Sequence, residues 1–219
     1  VLEGFPIMGA IQYTVKSANA ITHKLSKPGK MPGSAYNTPA QECNVGTQLR
    51  DIIGSVCEDC YAFERGRYRF ANVKDALQRR LASIQTPNWT GAMAFLINRY
   101  DSRGHFRWHD SGDLQSAEHL QKIADVCELT PTVQHWLPTR EYRIVQDWQR
   151  NGGVIPENLV IRLSAHMVDG APPTGYGLPT STVVTDGTQT CPASKQNNQC
   201  GDCRACWTPT VQNVSYPKH

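Results

Sequence analysis

Apolar strand-like runs begin near residues 105, 133, 159 and 182, and about one helix of sequence separates each from the next. Successive parallel strands need a crossover of a dozen or more residues, which a helix supplies. The alternation therefore predicts parallel strands in an α/β architecture, either an open layer or a full or partial (β/α) barrel of the TIM type. Strands are read at His105–His109, Val133–Leu137 and Leu159–Leu163, with weaker ones at Thr182–Val184 and Val211–Tyr216. Helices are read at Val73–Gln85, Trp89–Arg99, Ser116–Leu129 and Glu141–Asn151. Asn88 is placed as an N-cap, and Gly152-Gly153 as the stop of the last helix. Residues 1–71 are rich in Gly, Pro and Lys and read mostly as loop with a few strands. Residues 72–185 form the β/α core and residues 186–219 a Cys-rich C-terminal segment, all within one domain of 219 residues.

Composition removes several other classes. Hydrophobic residues make up 39% and charged residues 19%, too apolar and too weakly charged for an intrinsically disordered chain. No Gly period or sustained heptad points to collagen or coiled coil. The longest helical apolar run, Ala92–Ile97, is far short of the ~20 residues that span a bilayer, so no membrane partner is expected. Val1–Tyr13 lacks a basic start followed by an apolar stretch, so no export signal is expected. A net charge of +3 permits a nucleic-acid partner without asking for one.

The chain carries 8 cysteines, at positions 43, 57, 60, 127, 191, 200, 203 and 206. Disulfide frameworks belong mostly to short secreted chains, whereas C-x2-C spacing turns two sulfurs toward one point and suits a metal. Cys191, Cys200, Cys203 and Cys206 supply four soft ligands. An uninterrupted C-x2-C-x2-C wraps more naturally around the irons of a [4Fe-4S] cube than around one tetrahedral zinc, although zinc stays open. Gly201 provides the backbone freedom such a loop needs, and Arg204 a charge to offset thiolates. Cys43, Cys57 and Cys60 form a second group of three, which on a cube would leave one iron free. A zinc site completed by a histidine, or Cys43 as an unrelated core residue, is the other reading. Cys127 lies on the apolar stripe Leu120, Ile123, Ala124, Cys127 and reads as core filling.

Each strand is followed by polar residues that a core would not supply. His109, Asp110, Ser111, Gly112 and Asp113 follow the first, Arg140 and Glu141 the second, and Ser164 and His166 the third. Carboxyl ends of parallel strands line ligand sites, so these residues are candidates for a pocket. His109 and His166 would suit general acid–base work and Arg140 an anionic group, with Asp110, Asp113 and Glu141 beside them. Ser111, Gly112 and Ser164 are candidates for cofactor contacts. Asp113 and Ser116 as helix caps, Glu141 as a first-turn residue and His166 in a surface loop are the competing structural readings. The run Glu64-Arg65-Gly66-Arg67-Tyr68-Arg69-Phe70, with Lys74, Arg79 and Arg80, interleaves cations and aromatics. It reads equally as a phosphate-tracking surface or as a solvated helix face.

Several strings resemble the bacteriophage gene product 88 family. They are Lys30-Met31-Pro32-Gly33-Ser34, Gly54-Ser55-Val56-Cys57-x2-Cys60-Tyr61-Ala62, Phe106–Ser116, His135–Glu141, Arg162–Met167, Cys200–Trp207 and Val214–Pro217. The likeness spans roughly residues 30–219 and implies a phage origin, hence the host cytoplasm, with virion association open. It carries no established reaction. Ser55–Ala62 also looks like the end of the cluster loop in phage radical S-adenosylmethionine proteins. That resemblance implies a [4Fe-4S] cluster with one iron free for the cofactor, ahead of a partial (β/α) barrel. The first cysteine spacing here is thirteen residues where that superfamily has three, and no glycine-rich cofactor segment follows the first strand. The readings that stand at this point are an iron–sulfur redox or radical enzyme acting on an unknown small molecule, a structural or host-interaction protein stapled by metal, and a nucleic-acid-binding module. Oligomeric state is not legible.

Overall fold

The computed structural model describes residues 12–101 and 104–218. Its centre is a six-stranded, all-parallel sheet: β1 Ser34–Tyr36, β2 His105–Trp108, β3 Gln134–Thr139, β4 Leu159–Val168, β5 Thr180–Val184 and β6 Asn213–Pro217. The spatial order is the chain order, β1 to β6, so each strand pairs with its sequence neighbours and the sheet is open, with β1 and β6 at its edges. The expected parallel α/β architecture is thus present, as an unclosed sheet.

Seven α-helices are found among the described residues: α1 Val15–Thr22, α2 Asn44–Leu49, α3 Tyr61–Glu64, α4 Ala71–Ser83, α5 Trp89–Tyr100, α6 Ala117–Glu128 and α7 Tyr142–Arg150. The long helices match the sequence reading to within two residues at either end. Residues 12–70 are largely irregular, as read, but also hold three short helices and the first strand of the sheet. β1 is only three residues long and reads Ser-Ala-Tyr, too short to show a period of two. β4 runs five residues past its expected end, through polar Ser164 and His166, because Val56 and Val168 continue its pairing with the segment around Ser55. Asn88 makes no side-chain cap to α5, while Ser116 caps α6 by accepting from the His119 amide at 3.2 Å. Ser116→Ala is expected to lower stability by about 1 kcal/mol in a denaturant titration.

Period-two alternation sorts the strand residues onto two faces. Phe106, Trp108, Leu137, Leu159, Ile161 and Leu163 meet Ile84, Trp89, Met93, Ile97, Leu120, Ile123, Val145 and Trp148 in the main core. Cys127 joins them, fully buried, as its helix stripe foretold. The other face carries Arg107, Trp136, Arg162 and Ser164, where an ordinary core would place apolar side chains. The segment after Arg204 covers it: Trp207 packs on Trp136 at 5.2 Å and donates from its indole to the Phe106 carbonyl at 2.8 Å. Arg162 is fully buried and donates to four carbonyls, those of Thr180, Val211, Ala205 and Thr208. The C-terminal segment thereby becomes part of the fold rather than a tail.

Candidate metal centres at the strand ends

Cys43, Cys57 and Cys60 gather at the carboxyl end of the sheet. The segment that carries Cys57 is fixed there because Val56 donates to the His166 carbonyl at 2.9 Å and Val168 to the Gly54 carbonyl at 2.9 Å. Cys60 donates its amide to the Cys57 carbonyl at 3.2 Å, the i to i+3 turn that brings C-x2-C side chains to one side. Cys43 and Cys57 are brought to one point by Gly46: a Cβ there would lie 3.6 Å from the Cys43 sulfur and 3.7 Å from the Cys57 sulfur. It would also press the Cys43 Cβ at 2.9 Å, so a side chain at this position displaces the cysteine. Burial pushes the Cys43 thiol up, helped by Asp113 and the neighbouring thiols of Cys60 and Cys57 and opposed by Arg140. Burial also raises the Cys57 thiol, and here Arg140 is the main opposing charge. Deprotonating these thiols therefore needs a compensating cation.

The polar residues after the strands do not all stay together. Asp113, Arg140, Glu141 and His166 come together beside the cysteines. Asp113 is buried and accepts from the Thr139 hydroxyl at 2.6 Å, the Arg140 amide at 3.0 Å and the Leu114 amide at 2.8 Å. Burial raises its carboxyl despite these bonds. Glu141 accepts from the Val45 amide at 2.8 Å, and burial lifts its carboxyl to about 7. His166 belongs to β4 rather than to a surface loop and stacks on Tyr142 at 4.6 Å. Ser164 bonds Ser181 at 2.9 Å, and Ser111 donates to the Thr38 carbonyl at 3.0 Å. Gly112 takes φ +79 with the Thr38 hydroxyl against it, a close approach that only glycine tolerates. The last three residues make internal contacts that hold adjacent strand ends together.

His109 turns the other way. It has a positive φ of 59, is buried, and faces His119 with ring centroids 5.3 Å apart; neither of its nitrogens has a partner. Burial holds its imidazole far below the usual range, reinforced by His119 and Arg107, so it stays neutral inside the core. Asp110 lies at the edge of the opposite face, paired with Arg67 at 2.7 Å and Arg107 at 3.1 Å.

Cys191, Cys200, Cys203 and Cys206 form a second group. The Cys203 amide donates to the Cys200 carbonyl at 3.0 Å, the same turn as in the first pair, and Gly201 has the positive φ of 52 that its sequence position foretold. Cys206 approaches the buried Tyr216 hydroxyl at 3.1 Å. Its thiol is pushed up to about 11 by burial, with Tyr216, Arg107 and Arg162 pulling the other way. The thiol of Cys200 is raised by burial and by Cys191 and Cys203, and eased by Arg204 and Arg107. Arg204 itself donates to the Gly201 and Cys203 carbonyls, bracing the turn.

Among the described residues, no group of three or more His, Cys, Asp or Glu side chains is close enough to hold a metal ion as it stands. The donor chemistry is another matter. Buried Nε atoms of Arg107, Arg140 and Arg162 lack hydrogen-bond partners. Arg140 faces the first cysteine group, and Arg107 and Arg162 face the second. The Arg162 side chain is fully buried and those of Arg107 and Arg140 are partly so; Arg107 shares the Asp110 carboxylate with Arg67, and Arg140 has Asp113 beside it. Sequence reasoning missed Arg107, Arg162 and Tyr216 as site residues. The one available signal was an arginine interrupting the apolar run Leu159–Leu163.

Two further features flank the first group. A cleft of about 350 Å³ opens beside Cys60 and is lined by Arg50, Glu58, Asp59, Phe63 and Arg65. Arg50 stacks over the Phe63 ring at 3.4 Å. In the cation–aromatic run, Tyr68 is buried, Arg67 is paired with Asp110, and Arg80 bonds the His23 and Lys24 carbonyls and the Ser26 hydroxyl. These three side chains are committed to the fold, while Arg65, Arg69, Phe70 and Arg79 are exposed.

A parallel α/β protein with cysteines and charged residues at the carboxyl ends of its strands is the class that this architecture defines. A family model described as Gene product 88 matches residues 12–209, and the chain belongs to that family. No curated protein and no solved structure matches it. None of the described helices is long and apolar enough to cross a membrane.

Proposed function

We propose that this chain is an iron–sulfur protein whose three-cysteine group at the strand ends is an open, reactive cluster site, placing it among redox or radical enzymes. The observation that carries the reading is the pairing of each cysteine group with buried arginine Nε atoms that lack an acceptor. Cysteinate ligands and cluster sulfides carry the negative charge and the acceptor atoms that these donors require. A cluster bound by three thiolates supplies electrons and one iron open to a ligand.

The chain's own residues would support that chemistry in distinct ways. Arg140 stabilises the thiolates of Cys43 and Cys57 and is aimed by Asp113, which holds its backbone amide. Glu141 ties α2 to the strand ends through Val45, fixing the residue after Cys43 and its neighbour. The cleft beside Cys60 admits a small molecule, with Arg50 and Arg65 for an anionic part and Phe63 for an apolar one. S-adenosylmethionine is one ligand of this chemistry, and the sequential six-strand order is compatible with a partial (β/α) barrel around it. Zinc is the competing occupant of the cysteine groups. The phage family points to the host cytoplasm as the place of action.

Reduction of anaerobically prepared protein with dithionite, followed by S-adenosylmethionine, tests the reading. The expected result is a [4Fe-4S] electron-paramagnetic signal, part of which the added ligand perturbs; Cys57→Ala removes that ligand-sensitive part. A signal indifferent to the ligand would sink the radical arm, and absence of any cluster signal would sink the whole reading.

A further inference from the structure

The two cysteine groups have separate thiol neighbours. Cys43 has Cys57 and Cys60 as its thiol neighbours, while Cys200 has Cys191 and Cys203, and Cys206 has Cys191. The residues between the groups are already engaged with each other: Tyr61 donates to the Asp110 carbonyl at 2.8 Å and Arg107 to the Asp110 carboxylate at 3.1 Å.

The second group also occupies a particular place in the fold. Cys191 donates its amide to the Ser215 carbonyl of β6 at 2.9 Å, and Thr190 and Ser215 bond each other through amide and hydroxyl groups. Cys200 donates its amide to the Lys30 carbonyl, four residues ahead of β1, at 2.7 Å. One cysteine of the group is thus pinned to one edge of the open sheet and another to the approach to the opposite edge. Cys206 meets Tyr216 of β6 and lies over Arg107 of β2 and Arg162 of β4. Arg162 is fully buried, and its Nε has no acceptor.

We infer that Cys191, Cys200, Cys203 and Cys206 form a second metal centre, separate from the first and fully ligated by protein, which clasps the two edges of the parallel sheet together. The inference rests on the metal reading above and adds the number of centres and the role of this one. Four thiolates leave no ligand position open, so the centre holds structure or stores electrons and does not bind substrate. The backbone bonds that hold Cys191, Cys200 and Cys203 are in place. The thiolates then supply the negative charge that Arg162 lacks and a second one beside Arg107, and the Tyr216 hydroxyl donates to the Cys206 sulfur.

The full chain purified without oxygen, with Cys57→Ala, Cys203→Ala and Tyr216→Phe alongside, provides the test, read by iron, sulfide and zinc content and by thermal melting. Cys203→Ala is expected to lose about half of the metal and to melt well below the wild type. Cys57→Ala is expected to lose the other half and to melt close to it. Tyr216→Phe keeps the fold and full metal content, so it reads the centre even where Cys203→Ala fails to fold; it is expected to shift the visible or paramagnetic spectrum of the centre that survives in Cys57→Ala. Loss of all metal in Cys57→Ala, full metal in Cys203→Ala, or an unchanged spectrum in Tyr216→Phe overturns the second centre while leaving the first. A wild-type chain without metal overturns both.

Discussion

Replacing Arg162 with alanine is expected to cost about 4 kcal/mol of folding stability, a large fraction of the margin of an ordinary domain. The guanidinium ties Thr180 at 2.9 Å, Val211 at 2.9 Å, Ala205 at 3.1 Å and Thr208 at 3.3 Å. The carbonyls of Ala205 and Thr208 keep a backbone donor each, from the amides of Thr208 and Val211, so the cost is the loss of four charge-assisted bonds at a fully buried side chain rather than four stranded acceptors. The cavity adds to that cost. Arg162→Lys recovers little, because a compact ammonium cannot fork to four carbonyls. Denaturant unfolding reads the effect, and a loss below about 1 kcal/mol would show that Arg162 does not hold the C-terminal segment on the sheet.

The second large effect is acid sensitivity. His119 and His135 are buried, and burial lowers both imidazoles to about 3, with Lys122 contributing at His119. In the unfolded chain each titrates near 6.5. Folding thus favours the neutral form. Its contribution is intact above the unfolded value and is lost progressively as pH falls from about 6.5 toward about 3. Between pH 7 and pH 4 each histidine removes about 3 kcal/mol. Asp101 and Glu141 act in the opposite direction, since burial raises their carboxyls to about 6 and about 7. They stabilise the fold as pH falls, so the wild-type curve alone mixes the two effects. The difference between wild type and His119→Gln isolates one histidine, because the carboxylates are common to both. Over that range the variant is expected to lose about 3 kcal/mol less than the wild type. Parallel curves would mean that His119 takes up its proton in the folded state.

The helical and strand alternation from 105 to 163 was legible because each element there is long enough to show its period. Trp89–Tyr100 and Ala117–Glu128 repeat their apolar positions over three turns, and Cys127 could be assigned to the core from that stripe alone. β1 could not be read, since three residues carry no pattern and its position at the sheet edge is decided by pairing with β2. The strand-end polar residues were legible as a set but not one by one. Asp113, Arg140, Glu141 and His166 converge near the cysteines, whereas His109 turns into the core because the chain adopts a left-handed backbone there. Arg107, Arg162 and Tyr216 escaped for a different reason. Their significance depends on a second face of the sheet that is covered by residues 204–208, about forty residues or more from any of the first two in sequence, and no local period records such a contact.

Metal analysis of the wild-type chain, purified without oxygen and free of added metal, tests the account most directly. The account predicts a brown protein with about four to eight irons per chain and an equal amount of acid-labile sulfide. A colourless protein, with stoichiometric zinc or with no metal at all, would contradict it.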